Sequence, residues 1–161
     1  MLFRYGALLC LSLLTLYTLS AQKPPVKWGK VDFEDLQRKA YPKDSTAAAV
    51  ILADYATVRF DFVQGLRYIY EHHRRIKILD KAAFDKGDVS IYLYGDEKLS
   101  GLKAQTISAP SGQTFRLKNN DFYEEAVAEG VKATKFSFPN LEEGAIIEYT
   151  YTINSGRVVF L

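Results

Sequence analysis

The sequence is almost without cysteine. Its one thiol, Cys10, sits inside an N-terminal apolar run. Removal of that run as a leader would leave a mature chain with no cysteine, which excludes disulfides, cysteine-ligated zinc and a cysteine nucleophile. Histidine is nearly as scarce, with His72 and His73 the only two. Charge of one sign is lacking too: 21 Lys and Arg stand against 19 Asp and Glu, for a formal net charge of +2. That balance gives no electrostatic basis for attraction to nucleic acid or to an acidic membrane. There is no Gly-rich phosphate loop, HExxH pair, nucleophile elbow, internal repeat or low-complexity tract.

What is present is ordinary globular material, 48% hydrophobic and 25% charged, enough for one domain with a workable core. Met1 to Ala21 differs from the rest. Arg4 and the terminal amine are followed by an uncharged apolar stretch, and Thr18, Ser20 and Ala21 supply small residues before Gln22. This is the pattern of a secretory signal peptide over residues 1–21. A retained anchor is the weaker reading, because the stretch is at the short limit of a spanning helix. Lipidation at Cys10 is weaker still, since apolar residues continue past the thiol. The expectation is an exported protein of the periplasm or cell envelope, with no membrane association after cleavage. Residues 22–30, with Pro24 and Pro25, read as an extended leader that Trp28 either pins down or leaves exposed, and residues 31–161 as the domain.

The domain is organised around Leu66 to Leu79. This stretch has no Gly or Pro and alternates Tyr68, Tyr70, His72, Arg74, Ile76 and Ile78 against Ile69, Glu71, His73, Arg75 and Lys77. A period of two over that length predicts a strand of roughly 45 Å, longer than most. Upstream, Asp32 starts a short helix carrying Phe33, Leu36 and Ala40 on one face, ended by Tyr41-Pro42 and too short to stand without a sheet to dock on. Ala48 to Ala53 predicts a short buried strand stopped by Asp54, and Thr57 to Val63 a half-wet strand that Gln64-Gly65 joins to the long one as a hairpin. Downstream, strands are expected at Val89 to Tyr94, Leu99 to Ile107, Gln113 to Leu117, Ala133 to Phe138 and Ala145 to Ile153. Ser108 to Gly112 is a hairpin loop, and Lys118 to Val131 carries too few apolar residues to choose between helix, loop and edge strand. Arg157 to Leu161 begins a further strand with no partner after it, from which a longer polypeptide is expected. Short strands at intervals of roughly 8 to 12 residues, with one helix, predict an all-β, mainly antiparallel, β-sandwich-like fold.

Candidate chemistry is thin. His72 and His73 are adjacent in a strand, so their rings point to opposite faces and do not chelate one ion. No metal or cofactor is expected. Glu124 with Glu125 and Glu142 with Glu143 read as solvated loop charge, because sequence neighbours say nothing of the roughly 5 to 9.5 Å separation across a cleft that a glycosidase requires. Glu148, set among Ile and Tyr, is expected to pair with an Arg such as Arg59 or Arg74 rather than act as a catalytic acid. There are 11 Tyr, 10 Phe and 1 Trp. Most are assigned to packing. A binding face formed by Tyr92 and Tyr94 with Arg74 and Arg75 is the candidate site.

Several segments taken together are similar to domain of unknown function 3857. They are Tyr41-Pro-Lys-Asp44 before Ala47 to Leu52 and Asp54, Arg74-Arg-Ile-Lys-Ile-Leu79, Ala109-Pro-Ser-Gly112, and Phe138-Pro-Asn-Leu141 with Gly144 and Ile147-Glu-Tyr-Thr-Tyr151. The resemblance implies an all-β, non-catalytic accessory module of bacterial envelope proteins, commonly placed before a transglutaminase-like domain whose Cys, His and Asp would lie outside this chain. The expected role is to position that domain or bind substrate for it, the partner being the downstream domain of the full-length polypeptide. The rival expectation is a free-standing envelope module that binds glycan or protein.

Overall fold

The computed structural model describes residues 24–62 and 65–156. The signal peptide expected over residues 1–21, Cys10, part of the turn at Gln64 and the strand expected over Arg157 to Leu161 lie outside the described residues. The fold is an all-β sandwich with one short N-terminal helix. In chain order the elements are α1 (Phe33–Gln37), β1 (Ala49–Asp61), β2 (Arg67–Ile78), β3 (Asp88–Tyr94), β4 (Lys98–Ile107), β5 (Thr114–Arg116), β6 (Tyr123–Ala128), β7 (Val131–Ser137) and β8 (Ile146–Ser155). A five-stranded sheet runs β1-β2-β8-β4-β5 and a three-stranded sheet runs β3-β7-β6, with every strand pair antiparallel. Among the described residues no helix is long and apolar enough to cross a membrane.

The long strand is β2, second from one edge of the larger sheet, and its two sides do different work. On the inner side Ile76 and Ile78 lie beside Ile147 and Tyr149 of β8 and meet Ile91, Leu93, Phe136 and Phe138 around the smaller sheet. Each fully buried Ile there contributes roughly 1.5–3 kcal/mol. Phe136 is edge-on to Phe138 at 5.6 Å and to Tyr149 at 5.9 Å, ring contacts that tie the two sheets together. The outer side of β2 carries His73, Arg75 and Lys77, all buried despite their charge or polarity. What buries them is the N-terminal segment. Lys27 O accepts from Arg75, Gly29 N–H donates to Glu148, and Leu36 O at the end of α1 accepts from Lys77.

Two expected strands prove to be one. Asp54 does not stop the apolar run before it, and β1 continues from Ala49 to Asp61 with a register shift between Ile51 and Ala53. The carboxylate is tolerated inside the strand because it meets His72 and Arg74 on β2. The helix is shorter than its sequence pattern: α1 stops at Gln37, and Phe33 stays 75% exposed, so Leu36 docks without it. The undecided stretch 118–131 resolves into a 3-10 turn at Asn119–Asp121 and the hairpin β6-β7. A burial pattern exposed at all six positions of β6 explains why no alternation marked it. The loop at 108–112 forms as expected, closed by Gly112 N–H to Ser108 O, with Gly112 at φ 73°.

Candidate functional site

Strand alternation places Ile91 and Leu93 of β3 inward, so Tyr92 and Tyr94 point away from the core. They are 46% and 60% exposed. Register extends this face across the smaller sheet: Tyr92 is opposite Ala133, which is opposite Glu125, and Lys135 lies between Ser90 and Tyr123. Tyr123 is 66% exposed and shares the outer side with Tyr92 and Tyr94. Ala133, between the tyrosine of β3 and the carboxylate of β6, is itself fully buried. Neighbouring strands lie about 4.8 Å apart and alternate residues about 7 Å apart, so the three rings span roughly 10 Å across the strands and roughly 14 Å along them. A cavity of about 540 Å³ opens beside this face, bounded by Tyr123, Lys135 and Ser90 and floored by Phe136 and Leu117. Lys135 holds Glu125 at 2.5 Å, and that carboxylate raises the ammonium pKa, so the lysine is a fixed cation there rather than a base.

The other members of the candidate set are elsewhere. Arg75 is 3% exposed on the outer side of the larger sheet, beneath the N-terminal segment. Arg74 points to the inner side of the same sheet, its Nε 3.2 Å from Asp54. The structure therefore keeps Tyr92 and Tyr94 together, adds Tyr123, and joins neither arginine to them. Tyr123 escaped the sequence reading because nothing in 118–131 announced a strand; once β6 is known, the Tyr123, Glu125 alternation is plain.

Two polar clusters flank β2, one on each side, as the adjacency of His72 and His73 requires. Inside, Asp54 accepts from His72 Nε2 at 2.7 Å and pairs with Arg74. The His72 ring stacks on Tyr70 and meets Tyr149 and Tyr151 edge-on. Burial raises the pKa of both Tyr149 and Tyr151, so these hydroxyls stay protonated. Outside, Glu148 is fully buried and directly opposite Arg75 in the β2-β8 register. Its partner is thus Arg75, not Arg59 or Arg74: Arg74 is on the inner side, and Arg59, though on the outer side, is opposite Ile69, six residues along β2 from Arg75, and pairs with Glu71. Oε1 accepts from Arg75 Nη2 at 2.5 Å and from His73 Nε2 at 2.8 Å, and Oε2 accepts from Gln105 at 2.6 Å and Gly29 N–H at 2.9 Å. Burial pushes the Glu148 pKa up, but the hydrogen bonds of His73 and Arg75, the Arg75 charge and the Gln105 amide outweigh it and hold the carboxyl below its ordinary value. Tyr55 OH lies 3.0 Å from the other ring nitrogen of His73. Among the described residues no group of three His, Cys, Asp or Glu side chains is placed to hold a metal ion.

The comparisons agree with this architecture. A crystal structure of a putative protease from Parabacteroides distasonis superposes with a TM-score of 0.59 at 19% identity, a likeness of fold. The match covers 67% of this chain and 23% of that one, so this chain spans about a quarter of the larger protein's length. No curated protein sequence matches. A family model, described as a domain of unknown function with a solved structure, matches residues 66–161, which takes in β2 through β8. By that match the chain belongs to the DUF3857 family.

Proposed function

We propose that this chain is an exported, non-catalytic accessory domain that binds or positions substrate for a transglutaminase-like domain further along the polypeptide. The observation that supports it is the outer face of the smaller sheet, where Tyr92 and Tyr94 stand exposed and Tyr123, exposed on the same face, lines a cavity of about 540 Å³. Aromatic rings held on a rigid sheet offer contact area at little entropic cost. Catalysis would require a nucleophile, a base and an orienter in mutual reach. Around the cavity Ser137 donates to Asp88 at 2.5 Å and Lys135 is committed to Glu125, which leaves a surface built for contact.

The same three tyrosines favour a second reading, a free-standing envelope module for glycan or protein, since pyranose faces stack on such rings. Titration of the purified chain with soluble peptidoglycan fragments and, separately, with unstructured peptides tests both, read by tyrosine NMR shifts. Saturable binding lost in Tyr92→Ala and Tyr123→Ala, with melting unchanged, supports a binding face. Fragment binding favours the glycan module and peptide binding favours the accessory role. Hydrolysis of either ligand by the chain alone overturns both.

A further inference from the structure

We infer that the C-terminal half of β1 pairs with itself in a second copy of this chain, as an antiparallel edge-to-edge dimer centred on Phe60. β1 is an edge strand of the larger sheet, with β2 its neighbour on one side. Its first half is protected by the irregularity between Ile51 and Ala53, a common guard against edge pairing. The second half, Thr57 to Asp61, keeps an unbroken register with β2 and has no such guard. Its inner-side residues project beyond the smaller sheet: Val58 is 54% exposed, Phe60 48% and Phe62, just past the strand, 73%.

The sequence around Phe60 is complementary to its own reverse. Two antiparallel copies of one edge are related by a twofold axis perpendicular to the sheet, which keeps inner side with inner side. Only registers that pair residues of the same side are then allowed. Centred on Phe60, the dimer sets Val58 opposite Phe62 and Phe60 opposite itself on the inner side, and Arg59 opposite Asp61 twice on the outer side. Centred on Arg59, it would set the two guanidinium groups against each other. Centres at Val58 or Thr57 leave both charges facing Thr57, Tyr55 or Ala53. Phe60 is thus the centre that pairs opposite charges and covers the exposed apolar side chains together. Arg59 already reaches Glu71 at 3.1 Å but is 66% exposed at its side chain, so its guanidinium has room for a second carboxylate. The contact is short, and the dimer it makes is weak and reversible, with a Kd on the order of 100 μM.

Sedimentation velocity on the full chain over a wide concentration range tests this. The wild type is expected to shift reversibly from monomer to dimer. Arg59→Asp sets Asp against Asp61, and Asp61→Arg sets Arg against Arg59, so each alone weakens association by about tenfold or more. The decisive sample is an equimolar mixture of the two variants. In it every cross-edge pair is again opposite in charge, and dimer returns although each variant alone is monomeric. Circular dichroism melts of each variant separate misfolding from lost pairing. A wild type that stays monomeric at all concentrations overturns the inference, and so does a dimer indifferent to Arg59→Asp or a mixture that stays monomeric.

Discussion

Glu148→Gln is the sharpest perturbation the structure offers. The carboxylate is fully buried and takes hydrogen bonds from four groups: Arg75, His73, Gln105 and the Gly29 amide. An amide of the same shape has one acceptor oxygen and an NH2 that must face donors already aimed at it. Arg75, 3% exposed, keeps Lys27 O at 2.9 Å but loses its counter-charge. Removing one partner of a buried pair costs about 3–5 kcal/mol. At roughly 3 °C per kcal/mol for a domain of this size, the melting temperature should fall by about 10–15 °C. Urea denaturation followed by two signals measures the loss of free energy. The single Trp, Trp28, has its ring 5.9 Å from that of His73 and reports on the N-terminal segment, while circular dichroism reports on the sheets. Both signals should move to lower urea, Trp28 at least as far as the sheets. A loss below about 1 kcal/mol would refute the argument, because it would mean that the Arg75 charge finds equal solvation without Glu148.

The remaining expectations concern the same side of the sheet. Gly29 has φ +68° and a Cβ there would lie 3.4 Å from Gln105 Nε2, so Gly29→Ala should cost about 1–2 kcal/mol in urea melts and Gly29→Asn less; no loss for Ala would count against the geometry. The Glu148 pKa is lowered from 4.5 on folding, so its contribution is complete above the unfolded value and is lost as pH falls through the folded one. Wild-type stability should therefore drop on acidification below about pH 4.5 by an increment that Glu148→Gln lacks. Burial lowers the Lys77 pKa from 10.5, so the unfolded chain holds that proton more tightly, and stability should rise as pH climbs from the folded pKa toward 10.5. Lys77→Met should abolish that rise.

Much of the fold was legible because strand alternation is a local signal. β3 shows it in full, with one apolar side against the core, and β2 and β8 show it in their residue types although both of their sides are largely buried. The breaks came where a tertiary partner overrides a local rule. Asp54 resembles a strand stop until His72 and Arg74 stand beside it, and β6 resembles a loop because it covers nothing. The candidate site was half legible. Tyr92 and Tyr94 share a face by their spacing alone, whereas the separation of Arg74 from Arg75 follows from the same alternation that separates His72 from His73. Glu148 was singled out from its setting among Ile and Tyr in a strong strand, but its partner depended on the β2-β8 register, which no local pattern encodes.

The outer cluster contains a Tyr55, His73, Glu148 chain with the spacing of a proton relay, and its position argues against that role. A general base has to reach the proton it takes. Glu148 has no exposed surface, both oxygens are occupied, and Trp28 and Gly29 lie against His73 and Glu148. The arrangement instead joins the first described residues to the middle of the sheet: an extended segment with almost no apolar burial of its own is fixed by two backbone groups, Gly29 N–H and Lys27 O, seated on a buried ion pair. Deleting residues 22–30 separates the two roles. A clamp predicts that the deletion uncovers Glu148 and Arg75, lowers stability by about 1–3 kcal/mol through loss of those bonds, and produces no hydrolysis of peptide or glycan substrates. A relay masked by its own leader predicts the opposite, activity that appears on deletion and disappears again in His73→Ala.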